Sequence, residues 1–299
     1  MNENLLGEDH WLVGKTSNAY SYLRGKTFTD LIHFDLASAM DHCTEDQNDR
    51  VLVVPGYTET ITGVGGITAA KAGIDVLGLG GYSNMPAFLM DGAATVSMLV
   101  TAADVRMKNL TFKAGHADIN YLALVTAKGF ILDHCRIVEN TTDENFVDAL
   151  HISSADNDAD GLQLIGNEII MDDAACVTAI DLLKNINDAK ILGNLITGDF
   201  DATPYAPIYM ATAEVPKNIL IQHNLIHNQH DGNAAVGISM ACVTATGWII
   251  NNHVGHQDAD GNTAILAGAA GLYVGENYTS SVLGTASGYL YPAADDGAA

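Results

Sequence analysis

Seven short segments of the chain share one pattern: an apolar residue, two intervening residues, a fourth position that is most often Asn, and a further apolar or aromatic residue close behind. They read MKNLTF (107–112), LDHCRI (132–137), LIGNEI (164–169), ILGNLI (191–196), IQHNLI (221–226), IINNHV (249–254) and VGENYT (274–279). Their fourth positions, Leu110, Cys135, Asn167, Asn194, Asn224, Asn252 and Asn277, lie 25 to 32 residues apart. A repeat of that period dictates architecture before any local propensity does, because each unit is too small to bury its own apolar face and must stack on its neighbours.

Each unit carries a second apolar-x-apolar stretch upstream: Met98-Leu99-Val100, Leu122-Ala123-Leu124, Leu150-His151-Ile152, Ile180-Asp181-Leu182, Ile208-Tyr209-Met210 and Ile238-Ser239-Met240. Alternation at period two means strands with one buried face. Two or three strands per unit, joined by Gly, Asn and Asp turns of unequal length, fit a coiled parallel sheet of seven to nine turns whose bore is filled by apolar side chains. A leucine-rich repeat needs a tighter Leu signature and a propeller needs four strands per unit, so neither fits. Stacked Asn amides at a sharp bend can bond from turn to turn, and a ladder is expected along the Asn column.

The open end of such a coil is an unpaired sheet edge that needs a cover. Thr29 to Cys43 places Ile32, Leu36, Ala39, Met40 and Cys43 at helical spacing behind Thr29 as N-cap. The expected organisation is an arm or linker over 1–28, a capping helix over 29–48, the coil over 49–280 and a tail over 281–299.

Thirty-six acidic side chains against 13 basic give a net charge of -23, and only four of the basic residues are Arg. Phosphate neutralisation needs clustered cations, so an extended nucleic-acid surface is excluded, and docking on anionic membranes is disfavoured. No apolar run approaches a bilayer span and the first ten residues lack a signal-peptide pattern, so cytoplasmic synthesis without membrane insertion is expected. Cys43, Cys135, Cys176 and Cys242 lie far apart and read as buried free thiols.

The run Val51-Leu-Val-Val-Pro-Gly-Tyr-Thr-Glu-Thr-Ile61, then Ile74-Asp-Val-Leu-Gly-Leu-Gly80 and MKNLTF, resembles the opening of a right-handed parallel β-helix of the pectin-lyase-like group. With the preceding helix, Pro86, Phe88 and the Asn ladder, it is most similar to proteins encoded by tailed bacteriophages near their head genes. The resemblance covers roughly residues 29 to 280. It implies an all-β, single-stranded right-handed parallel β-helix with an N-terminal capping helix.

The fold hosts lyases, hydrolases, adhesins and inert virion parts, so function has to be read from sites. The N-T-D, G-H-G and R-I-K patterns of the polygalacturonases it resembles are absent; Gly115-His116-Ala117 and Arg136-Ile137-Val138 are fragments. The outward residues of the second stretch form the column Leu99, Ala123, His151, Asp181, Tyr209 and Ser239. His151, Asp181 and Tyr209 on consecutive turns are its acid/base candidates. Asp156-Asn-Asp-Ala-Asp-Gly161 puts Asp156, Asp158 and Asp160 on alternate positions before a Gly, a pattern that can wrap calcium. Among the late histidines, His227 and His256 are possible partners for a transition metal.

These features lead to a non-enzymatic structural protein of a phage virion, as a capsid decoration, head fibre or tail component. No cofactor is required, and calcium at Asp156, Asp158 and Asp160 is the metal it could take. Its expected partners are other virion proteins and further copies of itself in a homotrimer, the latter implied by the resemblance. The alternatives are a polysaccharide depolymerase and a carbohydrate-binding adhesin acting on the bacterial surface. For the adhesin, the proposed column offers one ring, Tyr209.

Overall fold

Each turn of the chain in the computed structural model makes up to three short strands, and each pairs in parallel with its counterparts in the turns before and after. The structure describes residues 10–13, 32–141, 143–201, 205–211, 214–230, 235–240, 242, 244–256, 264–267, 270–281 and 288–290. Three sheets of eleven, ten and eight strands result. In the first, Arg50–Val53, Asp75–Gly78, Arg106–Lys108 and Ile131–Asp133 follow one another, ending at Ala270–Gly275. The second runs from Thr58–Ile61 to Asn277–Ser281, with Gly288–Leu290 paired antiparallel at its end. The third runs from Ile67–Ala69 to Ile265–Ala267. Successive strands of one turn belong to different sheets, so the chain is a parallel β-helix, closing in the right-handed sense that parallel crossovers take.

Side-chain alternation fills the bore with continuous columns. In the third sheet Ile67, Met98, Ala123, Leu150, Ile180, Ile208, Ile238 and Ile265 stand in register. In the second, Phe88 stacks on Phe112 with ring centroids 5.7 Å apart. All these residues are buried. The four cysteines are buried and free, as expected from their spacing.

The bend between the first and second sheets takes two residues. The first is left-handed in seven successive turns: Asn109, His134, Gly166, Gly193, His223, Asn251 and Glu276 have φ between 51° and 64°. That conformation suits Gly and Asn, and its cost for other residues is met here at His134, His223 and Glu276. The second bend residue points inward and is the ladder position. Asn167, Asn194, Asn224, Asn252 and Asn277 are buried, and each side-chain oxygen accepts from the ladder residue one turn earlier. Cys135 starts the ladder by donating its backbone N–H to Asn167 Oδ1 at 2.9 Å.

The N-terminal cover differs from the expectation. Helix α1 spans Leu36–His42, seven residues, and its N-cap is Asp35, whose carboxylate accepts from Ser38 N at 2.7 Å. Thr29, expected as N-cap, lies outside the described residues. Ile32 and His33 are extended and pair with His10–Val13, which in turn pairs with Arg50–Val53. Part of the expected arm is thus a strand of the first sheet, and β pairing takes the residues assigned to the first helical turn. Helix α1 buries Leu36, Ala39 and Met40. At the other terminus, Gly288–Leu290 adds a strand within the expected tail.

Candidate functional site

The outer face of the third sheet is shaped by a break in its alternation. In three consecutive turns two adjacent residues both face inward: Leu122 and Ala123, Ala149 and Leu150, Ala179 and Ile180. The N–H groups of Ala179 and Ile180 both donate to Pro207 O, at 3.1 and 2.9 Å, so two residues share one partner as in a β-bulge. The residues on either side of each inward pair therefore share the outer face, although three positions separate them. Two columns result: Tyr121, Asp148 and Thr178 in one, and Leu124, His151, Asp181, Tyr209 and Ser239 in the other.

This arrangement brings His151, Asp181 and Tyr209 onto consecutive turns in register, as expected. It corrects the column at Ala123, which is buried in the bore; Leu124 takes its place, because the bulge moves the outward phase by one residue. Strict alternation also hides Asp148 and Tyr121. The signal for them is a polar residue, two apolar residues, then an outward residue: Asp148-Ala-Leu-His151 and Thr178-Ala-Ile-Asp181 on successive turns.

His151 is the centre of the group. Its Nε2 lies 2.8 Å from Asp148 Oδ2 and 3.9 Å from Asp181 Oδ2. Its ring packs against Tyr121, centroids 4.6 Å apart. Asp148 Oδ1 accepts from Thr178 N at 3.0 Å and Thr178 Oγ1 at 2.6 Å, which fixes the carboxylate. Both Asp side chains are largely shielded, each 13% exposed. Burial pushes the Asp181 carboxyl up to about 6; His151 opposes the rise and Asp148 adds to it. Burial likewise raises the Tyr209 hydroxyl, with further contributions from Asp181 and Tyr205. Tyr205 packs on Tyr209 with centroids 5.2 Å apart, adding a ring at the end of the site. Beyond Tyr209 the column continues into Ser239, which is fully buried.

The acidic loop is used differently from the calcium expectation. Asp158 folds back to accept from Ser153 Oγ, Ser154 N and Ala155 N. Asp160 accepts from Asn187 N and Nδ2, and Asp156 accepts from Asn185 N, both in the next turn. The three carboxylates accept from separate backbone and side-chain donors and do not converge. Among the described residues no group of three or more His, Cys, Asp or Glu side chains gathers as metal ligands. His227 and His256 are one residue out of register, since His227 pairs with Gly255 and His256 with Asn228. Burial first, and then His256, lowers the His227 imidazole.

Fold and site define a parallel β-helix with a polar and aromatic stripe on one outer face. No family model matches the chain, and no curated protein matches it. Among solved structures it is similar to a rhamnogalacturonan lyase, at 12% identity over 93% of this chain and 88% of that chain, with a TM-score of 0.40. The fold assignment rests on the strand pairing above.

Proposed function

We propose that this chain is a structural β-helix of a bacteriophage virion whose third-sheet face holds a bacterial surface polysaccharide without cleaving it. The virion placement is supported by the resemblance of the Val51 to Gly80 region to tailed-phage β-helices. The glycan reading is carried by one observation: Tyr121, Tyr205 and Tyr209 stand beside Asp148, His151 and Asp181 on one outer face. Rings that cover the apolar faces of sugars, alternating with fixed acceptors for hydroxyls, are what a saccharide site requires. The single ring expected in the column is joined by two more, which supports the adhesin reading.

A depolymerase is the second reading, favoured by a specific geometry. Asp148 and Asp181 both reach His151 Nε2, so their nearest oxygens are at most about 7 Å apart. That upper limit is compatible with the span of about 5 to 9.5 Å used by paired glycosidase carboxyls. Asp181, held up at about 6, has the character of a general acid.

One experiment separates the readings. The purified chain is incubated with host surface polysaccharide, measuring both retention on immobilised glycan and release of reducing ends or unsaturated product. Retention that drops about tenfold or more in Tyr209→Ala, without product, supports the adhesin. Product formation abolished by Asp181→Asn establishes the depolymerase. Failure of both leaves the third-sheet face without a glycan role. Imaging of purified particles, locating and counting this chain, tests the virion placement.

A further inference from the structure

A second surface lies at the bend between the first and second sheets, away from the third-sheet face. The outward column of the first sheet there reads Leu52, Leu77, Lys108, Asp133, Ile165 and Leu192. One cation and one carboxylate thus stand side by side between apolar neighbours of this row, which continues into Gln222. Asp133 is buried, and three basic side chains converge on it: Arg106 and Lys108 on Oδ2, His134 on Oδ1. Arg106 and Lys108 alone outweigh its single negative charge. Burial would raise the Asp133 carboxyl, but the bonds from Arg106, His134 and Lys108 prevail and pull it down to about 2.

Donor capacity remains in this cluster. Arg106 Nε is buried without a hydrogen-bond partner, but Arg106 does not line the adjacent cleft, so the donor capacity at the cleft wall is that of Lys108. Lys108 carries three N–H groups, is 41% exposed, and gives one bond to Asp133, at 3.0 Å. Arg136, one strand away, is engaged differently: Glu168 takes it in a two-pronged pair at 2.9 and 3.1 Å, and Tyr82 lies 4.4 Å from its guanidinium carbon.

Beside Lys108 opens a cleft of about 370 Å³, walled by Leu77, Leu79, Lys108, Asn109 and His134. Its floor is fixed. Asn109 Nδ2 donates to Gly78 O at 2.7 Å and to Gly80 O at 3.0 Å. A Cβ at Gly78 would meet Asn109 O at 1.9 Å, so only Gly permits this close approach.

We propose that this cleft binds an amphipathic anion, a carboxylate or phosphate group carried on a sugar or small apolar body, with Lys108 and His134 holding the charge and Leu77 and Leu79 the body. The surplus of positive charge over Asp133 supplies the attraction, in a chain whose net charge is -23. The site lies outside the third-sheet stripe and does not depend on the glycan reading there.

The test is calorimetric titration of the full chain at low salt with glucuronate and, separately, glucose 6-phosphate, with glucose as the neutral control. One saturable site for at least one anion is expected, weakened about tenfold in Lys108→Gln and unchanged in Lys128→Gln. His134→Asn, which keeps a residue tolerant of the left-handed bend, should weaken it too, and serves if Lys108→Gln fails to fold. Binding by one anion only identifies the group recognised; binding by both supports the shared chemistry. Saturable binding absent up to about 10 mM, equal binding of glucose, or unchanged affinity in both folded variants would overturn the proposal.

Discussion

Asn194 Oδ1 accepts two hydrogen bonds from Asn167, from its backbone N–H at 2.8 Å and from its Nδ2 at 3.0 Å. Asn194 in turn donates its own Nδ2 to Leu164 O at 2.9 Å and to Asn224 Oδ1 at 2.9 Å. One amide therefore serves three turns of the coil in buried surroundings.

Asn194→Ala leaves the Asn167 N–H unpaired in buried surroundings and removes the amide bonds to Leu164 O and Asn224 Oδ1. The unpaired group alone costs about 1–3 kcal/mol, so a loss of about 2 kcal/mol or more is expected. The urea unfolding midpoint reads it. A shift no larger than that of an exposed Asn→Ala control, such as Asn140→Ala, would mean that the bends are set independently and the ladder adds nothing.

Asp181 makes stability depend on pH. Its carboxyl sits at about 6 in the folded chain, against about 3.9 when unfolded. Between those values the folded chain holds a proton that the unfolded chain has released, so stability falls as pH rises from about 4 to 6. Below the window both states are protonated, and above it the buried charge is fully felt. Asp181→Asn should remove this slope and raise stability at pH 7, by about 3 kcal/mol at most. Unfolding free energies at pH 4.5 and 7 for the two proteins check it, and parallel pH profiles would refute it.

The cap is held by two carboxylates. Asp35 bonds Ser38 N, while Glu59, in register with Phe88 at the open end of the bore, accepts from Leu36 N and from Tyr57 OH, each at 3.0 Å. Asp35→Ala should cost about 1 kcal/mol. Glu59→Ala leaves the Leu36 N–H unpaired, while the Tyr57 hydroxyl keeps its bond to Phe34 O, and should cost about 1–2 kcal/mol. Hydrogen exchange of the Leu36–His42 amides measures both. Faster exchange is expected there, with the amides of Ile180–Leu182 unchanged; uniform acceleration along the coil would show that the cap does not open locally.

The two-step bend that carries the ladder was legible because its requirements are local. A left-handed residue followed by an inward amide favours Gly-Asn or Asn-Asn, and Gly166-Asn167, Gly193-Asn194 and Asn251-Asn252 show it without any tertiary information, whereas His134, His223 and Glu276 take the same bend against local preference. Helix α1 was legible only in its apolar spacing. Its start depends on Asp35 and on Glu59 from 23 residues away, while pairing with His10–Val13 claims Ile32 and His33.

The sequence by itself determined the period and the consecutive-turn order of His151, Asp181 and Tyr209, because both follow from alternation and stacking. What only the tertiary structure decided is which other groups reach them. The doubled inward pairs at Leu122-Ala123, Ala149-Leu150 and Ala179-Ile180 reverse the alternation within the strand, so Asp148 and Tyr121 share a face with His151. The acidic loop shows the same division. Its carboxylate spacing is written in the chain, but their use is set by the donors of adjacent turns, which draw Asp156 and Asp160 to Asn185 and Asn187 and leave Asp158 to close its own turn.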